Sequence, residues 1–375
     1  MNRLAAVLLV LGAAAIVTVA RGGHELPIYP SFYPHEIEIR SLAAEDAVQP
    51  LRDGKIQAYI GRSLGLSATP SADIRPVESL GSFIVVRTNP SSARVQDDAA
   101  ACGVVGTLMR SLAAQSDFVP HPYPVTPFHG DYLHHADLAA AAVARVSEPT
   151  APTGDLKIAA RGGLAQSHPD WSAREADWDA EVTEVDAAEL VASAMFTVNG
   201  WLAPPWVRTG WFHAERLLAD TASEPAQKER IESDLRRIKT RDFTSLVERI
   251  NLERDLVTLL TGGCRKLVAG YTVKREYVNV EFSAGIENIG YDAITGLNSP
   301  IFIRTVKLKD FPWNGWLVLG IEGEPTAAWN PIGGMNDPFG RLMGSAVGDP
   351  ALLPSPYEAG WMLNRISDLP SNPGR

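Results

Sequence analysis

A chain of 375 residues with 45% hydrophobic and 21% charged content can bury a sizeable core, which excludes wholesale disorder. Its net charge of −10, without any block of lysine or arginine, disfavours a nucleic-acid partner, because a phosphate backbone demands clustered positive charge. The length suits two domains of ~100–200 residues each.

Arg3 is the only side-chain charge before an apolar run from Leu4 to Ala20. A short basic region followed by such a run is the layout of a secretory signal, and Thr18-Val19-Ala20 ends on a small residue suited to cleavage. The run also approaches the lower limit of ~17–25 residues for a membrane span, so residues 1–23 read either as a signal peptide or as an N-terminal anchor. Both place the remainder in the periplasm, soluble or tethered to the inner membrane by residues 4–20.

His24–Glu36 is rich in aromatic residues and proline, hence extended. Ile37 and Ile39 end a strand, and a helix over 43–52 stops at Asp53-Gly54. Strands follow at 56–60, closed by Gly61, and at 82–88, ended by Asn89-Pro90. An apolar helix covers 99–114. This strand–helix–strand rhythm predicts a parallel sheet covered by helices. A Pro, His and Tyr-rich loop spans 118–133, a helix 136–146, and SEPTAPTG (Ser147–Gly154) reads as a linker.

The second half opens on a strand at 156–160 followed by Arg161-Gly162-Gly163. Residues 187–260 read as a long helical region, interrupted at Pro204-Pro205 and strongest from Pro225 to Leu260, where Gly262-Gly263 stops it. Strands return at 266–271, 277–282, 301–306 and 316–321. From Glu322 the chain is dense in Gly, Pro and Asn. The predicted organisation is one α/β lobe over 24–148, a second over 154–321, and an irregular C-terminal tail over 322–375 packing back on both.

Two segments resemble a known family. LRDGKIQAYIG (Leu51–Gly61) is similar to the part of type II periplasmic solute-binding proteins, especially the phosphonate-binding-like branch, in which a helix ends in Asp-Gly and leads into a strand and a glycine loop. VESLGSFIVVRTNP (Val77–Pro90) is similar to the strand that follows there. The resemblance covers the first third of the chain. It implies a two-lobed, periplasmic-binding-protein-like α/β fold, with mixed sheets flanked by helices, that binds a small polar or anionic ligand without catalysis. An inner-membrane transporter is then the expected partner.

Ligands of open α/β sheets bind at the carboxyl ends of strands. That rule selects Gly61, Arg62 and Ser63, then Glu78 to Ser82, and Arg161 with Gly162 and Gly163, whose missing Cβ lets backbone N–H groups approach an anion. Tyr29 and Tyr33 on the extended arm would line the same cleft. The densest cluster of metal-ligating types is His121, His129, Asp131 and His134, which would suit Zn or Cu but lacks the spacing of a known ligand set. No cofactor is otherwise expected. Two further functions remain open: a membrane-anchored accessory subunit of a periplasmic redox or transport complex, and a metal-dependent periplasmic enzyme using the His121–Asp137 loop. Cys102 and Cys264 are expected to be buried thiols, although an oxidising compartment would allow a disulfide. His213-Ala214-Glu215 is expected to be a solvated helical stretch.

Overall fold

The computed structural model describes residues 34–66, 72–147, 155–173, 177–193, 205–221, 224–310, 315–326, 337–348 and 351–364. Its strands are, in chain order, β1 (Glu36–Ser41), β2 (Ala58–Ile60), β3 (Ile74–Thr88), β4 (Phe118–Pro120), β5 (Ile158–Arg161), β6 (Ala180–Asp186), β7 (Lys266–Asn279), β8 (Ile286–Glu287), β9 (Lys307–Leu308), β10 (Trp316–Ile321), β11 (Leu352–Pro354) and β12 (Trp361–Leu363). Eight of them form one sheet in the order β1-β10-β2-β7-β3-β6-β5, with β4 also on β7. The helices are α1 (Ala44–Arg52), α2 (Asp98–Leu112), α3 (Ala136–Ser147), α4 (Leu164–Ser167), α5 (Ala187–Ser193), α6 (Gly210–Leu218), α7 (Pro225–Thr240), α8 (Leu246–Leu260), α9 (Pro300–Thr305) and α10 (Pro338–Val347).

The 15 residues of β3 and the 14 of β7 pair antiparallel from Ile74↔Asn279 to Arg87↔Lys266. This ribbon runs through both halves of the sheet. In the first half β2 lies antiparallel to β7, and β10 and β1 continue outward in parallel. In the second half β6 lies antiparallel to β3, and β5 is parallel to β6. The register slips between Leu80 and Phe83, where the ribbon passes from one half to the other. Pro76 is tolerated because β6 reaches only as far as Ser82, so β3 is an edge strand at Pro76 and needs no donor on that side.

Both faces of each half are covered. On the second half Ile84 and Val86 join α2, Val146 and Leu267 in one core, while Phe83 and Val85 join α6, α7 and α8 in another. That is why Phe83–Val86 reads as a continuous apolar run rather than an alternating one. On the first half Ile60, Val278 and Leu319 pack with α9, and Tyr59, Ile74 and Tyr277 pack with α1.

Several expectations change. The protein is a mixed α/β fold with sheets flanked by helices, but its centre is antiparallel. A boundary at 148–154 does not divide the cores, since one cluster combines Ile84 and Val146 with Leu164 and Ala269. The two halves instead exchange chain at the ribbon, the second comprising the segment between β3 and β7. Residues 301–305 are helical, not a strand: Ser299 Oγ caps the Phe302 N–H at 3.4 Å and Pro300 occupies the first turn. The helical stretch from 225 to 260 is two helices. Arg241 takes a left-handed conformation (φ 57°), and Ser245 then caps a new helix by accepting the Glu248 N–H at 3.2 Å, while Glu248 accepts the Thr244 N–H at 2.7 Å.

Cys102 and Cys264 are joined as a disulfide, with Cα atoms 5.0 Å apart, and are not free thiols. Gly263 explains the approach. A Cβ there would lie 3.0 Å from Asp98 Oδ1, the oxygen that accepts the Cys264 N–H at 2.7 Å. Among the described residues no helix is long and apolar enough to cross a membrane, and residues 1–33 lie outside them.

Candidate functional site

Strand direction locates the site. From Ala58 to Ile60, β2 advances along β7 from Val278 toward the ribbon crossing, and β1 and β10 follow in parallel register. From Ala180 to Asp186, β6 advances along β3 from Thr88 to Ser82, and β5 runs the same way. The carboxyl ends of the parallel strands in both halves therefore point at one place. In open α/β sheets that is where loops and backbone N–H groups are free to meet a ligand.

At the first half the loop after β2 is held by carboxylates. Glu322, just past the end of β10, accepts the Arg62 N–H at 2.7 Å and pairs with the Arg62 guanidinium at 2.5 Å. Gly61 has no room for a side chain, since a Cβ would lie 2.6 Å from the Glu322 Cβ. Glu276 is wholly buried and accepts from Gly61 N–H at 3.2 Å and Leu297 N–H at 2.6 Å. The Lys274 ammonium sits 2.8 Å from the same carboxylate. Ser79, across the ribbon from Lys274, has a buried hydroxyl without a hydrogen-bond partner. Ser82 is buried at the crossing, and its N–H donates to Thr272 Oγ1 at 2.8 Å.

Of the residues expected from the sequence, Arg62, Ser63 and Ser82 lie on the strand end and crossing just described. Arg161 and Gly162 stand at the carboxyl end of β5, but the Arg161 guanidinium turns to Glu181 at 2.8 Å, a carboxylate it shares with Arg87. With Trp178, whose ring Arg87 covers at 5.1 Å, they line an open groove of about 340 Å³ at the outer end of the half-sheet, away from the crossing. Gly163 is occupied by protein: a Cβ would lie 2.5 Å from Glu184 Oε2. Tyr29 and Tyr33 lie outside the described residues. Ser79 falls within the Glu78–Ser82 stretch selected from the sequence, whereas Lys274, Glu276 and Glu322 were missed. The only available signal was the charged run Lys274-Arg275-Glu276 inside a segment that is otherwise apolar.

The histidine-rich loop forms a second polar region, on the face covered by α6 to α8. The Thr126 N–H donates to His129 Nδ1 at 2.8 Å, so the ring proton of His129 is on Nε2 and donates to His213 Nδ1 at 2.8 Å. His213 Nε2–H then donates to the Val207 carbonyl at 3.1 Å. A backbone donor at one end and a backbone acceptor at the other thus set both tautomers, and the pair is neutral. Burial agrees: it pushes His129 down to about 3 and His213 well below the usual range. His213, expected to be solvated, is fully buried.

His121 donates to the Val125 carbonyl at 2.9 Å, Asp131 accepts the Gly210 N–H at 3.1 Å, and His134 is exposed. The expected ligand set of His121, His129, Asp131 and His134 does not converge. Among the described residues only Asp98, Cys102 and Cys264 bring three metal-ligating atoms together, and there the two sulfurs are bonded to each other. His135 bonds Tyr123 OH at 2.9 Å and is pushed down to about 4 by burial. Glu253 of α8 is pushed up to about 7 by burial, against the pull of Arg249.

No protein-family model matches the sequence, and no curated protein matches it. Solved structures do overlap. HbpA2 from Haemophilus parasuis has TM-score 0.39 and 9% identity over 71% of this chain and 56% of that one. The binding protein AgaA from A. tumefaciens R10, in complex with agropinic acid, has TM-score 0.36 and 13% identity over 71% and 59%. The oligopeptide-binding protein AppA from Bacillus subtilis, in complex with a nonapeptide, has TM-score 0.37 and 12% identity over 68% and 57%. In each case the chain spans less than two thirds of the matched protein's length.

Proposed function

We propose that this chain is exported and binds a small polar or anionic solute, without catalysis, at the crossing of the β3–β7 ribbon. The observation that carries the reading is the convergence of strand ends: β1, β10 and β2 from one half, and β5 and β6 from the other, all finish toward that crossing. The groups there are suited to hydrogen bonding and charge pairing: Arg62 with Glu322, Lys274 with Glu276, and the Ser79 hydroxyl. Export is supported by the Arg3 and Leu4–Ala20 pattern and by the Cys102–Cys264 disulfide, a bond favoured in oxidising compartments. An inner-membrane transporter is the partner such a protein would serve.

The test is a thermal-shift screen of the purified protein with phosphate, phosphonates, carboxylates and amines. A ligand at one hundred times its dissociation constant adds ~2.7 kcal/mol to stability, a shift such a screen resolves. A hit should weaken at least tenfold in Arg62→Ala. A hit indifferent to Arg62→Ala and Glu276→Gln places binding elsewhere, and a screen without hits argues against solute capture.

A further inference from the structure

The C-terminal hairpin touches both halves of the sheet. Its strands β11 and β12 pair antiparallel, and Leu353 packs with Ile301 of α9, so the hairpin is rooted in the first half. Its tip is Ser355–Gly360, in which Ser355 and Pro356 are buried while Tyr357, Glu358 and Ala359 are exposed. The Pro356 carbonyl accepts the Ala293 N–H of the first half at 3.0 Å. It also accepts from Arg208 Nη2 at 3.4 Å, and Arg208 belongs to the second half. One backbone oxygen is thus shared by donors from both sides.

The neighbouring contacts reinforce this. Arg208 forms an ion pair with Asp292, which is 4% exposed and also accepts the Ile294 and Thr295 N–H groups at 2.8 Å. The turn that presents Arg208 is fixed from behind, with Val207 accepting from His213 and the Gly210 N–H bonded to Asp131. On the other side of the tip, Gly130 of the histidine loop lies so close that a Cβ would sit 2.3 Å from the Tyr357 carbonyl oxygen and 2.9 Å from Glu358 Cα.

We infer that the hairpin tip Ser355–Gly360 is a strap that fastens the two halves together beside the crossing, with Pro356 O, Arg208 and Gly130 as its contacts. The inference rests on the solute-binding reading only for its purpose: a cleft between halves must open, and opening breaks the strap together with the Arg208–Asp292 ion pair. The tip suits that role because its hold on the second half is a close backbone approach at Gly130 and one long hydrogen bond from Arg208. Segments fastened in this way open locally below the cost of global unfolding.

The experiment needs no ligand, so its outcome is independent of whether a solute is found. Gly130→Ala inserts a methyl group against the Tyr357 carbonyl while leaving Arg62, Lys274 and Glu276 untouched. Hydrogen exchange at the Ala293 amide should accelerate about tenfold or more. Exchange at the Gly61 and Leu297 amides, both bonded to Glu276, should not change. Limited proteolysis should cut within 355–360 faster, and the radius of gyration from X-ray scattering should rise. Arg208→Lys, which keeps the charge but loses the planar fork, should accelerate Ala293 exchange without a new steric contact. The inference is overturned if Ala293 exchange is unchanged in both variants, or if it rises only together with exchange at Gly61 and Leu297, which would make the tip part of the global core.

Discussion

Breaking the Cys102–Cys264 bond tests whether the second half is stapled as described. The bond links α2 to the start of β7 across 162 residues of sequence. In the chain-entropy treatment, a loop of that size removes about 5 kcal/mol of disorder from the unfolded state at 25 °C. An unfolding entropy of ~2.1 cal/mol/K per residue gives about 0.8 kcal/mol/K for a chain of 375 residues, so the loss corresponds to a midpoint about 6 °C lower. The perturbation is Cys102→Ala with Cys264→Ala, which leaves the Asp98 bond to the Cys264 N–H in place. The assay is calorimetric melting of wild type and variant, with and without a phosphine reductant. Reduced wild type and double variant should melt together, both about 6 °C below the oxidised protein, and the variant should ignore the reductant. Wild type and variant melting within about 1 °C of each other under oxidising conditions would refute the argument.

Stability should fall on acidification through the usual histidine range. His129 and His213 are held neutral, so the stability they lend is complete above about pH 6.5 and is lost as the pH drops toward their folded values. Between about pH 6 and 4.5 the two protons these rings take up on unfolding contribute roughly 2.7 kcal/mol per pH unit, steepened by His135 and opposed by Glu253. The check is urea titration of wild type against a His129→Gln, His213→Gln variant, whose slope should be shallower by about that amount; equal slopes would mean the rings are accessible. Glu253 has the opposite sign. Its folded value is raised to about 7, so its contribution is complete below its ordinary value and is lost as the pH rises through neutrality. Glu253→Gln should therefore stabilise at pH 8 relative to wild type, by up to about 3 kcal/mol, and have little effect at pH 4. Gly210→Ala should cost about 1–3 kcal/mol through overpacking, because its Cβ would lie 2.4 Å from a Val125 methyl; denaturant melts showing no loss would place that helix start wrongly.

Much of the local structure was written in the chain. Phe83–Val86 announced a doubly covered strand, Asp97 capped α2 with a bond to the Ala100 N–H at 2.8 Å, and Asp53-Gly54 ended α1. Two local signals were present and passed over: Ser299-Pro300 opening α9, and Ser245 with Glu248 restarting a helix after Arg241. Of the candidate site, Arg62 and Ser82 were legible because strand ends are marked by glycine and turn residues. Glu276 and Lys274 were not, because a polar side chain in a strand looks the same whether it meets water or a buried loop.

What the sequence determined by itself is what depends on near neighbours: the identity of most strands and helices, and where they stop. The tertiary structure alone decided what depends on distant partners. Cys102 finds Cys264, His129 finds His213, and Arg208 finds Asp292, each across more than eighty residues. It also decided where the halves divide, since a ribbon of two long strands separated by some 180 residues leaves no compositional linker to read. Periodicity reports which face of an element is buried; it carries no record of what buries it.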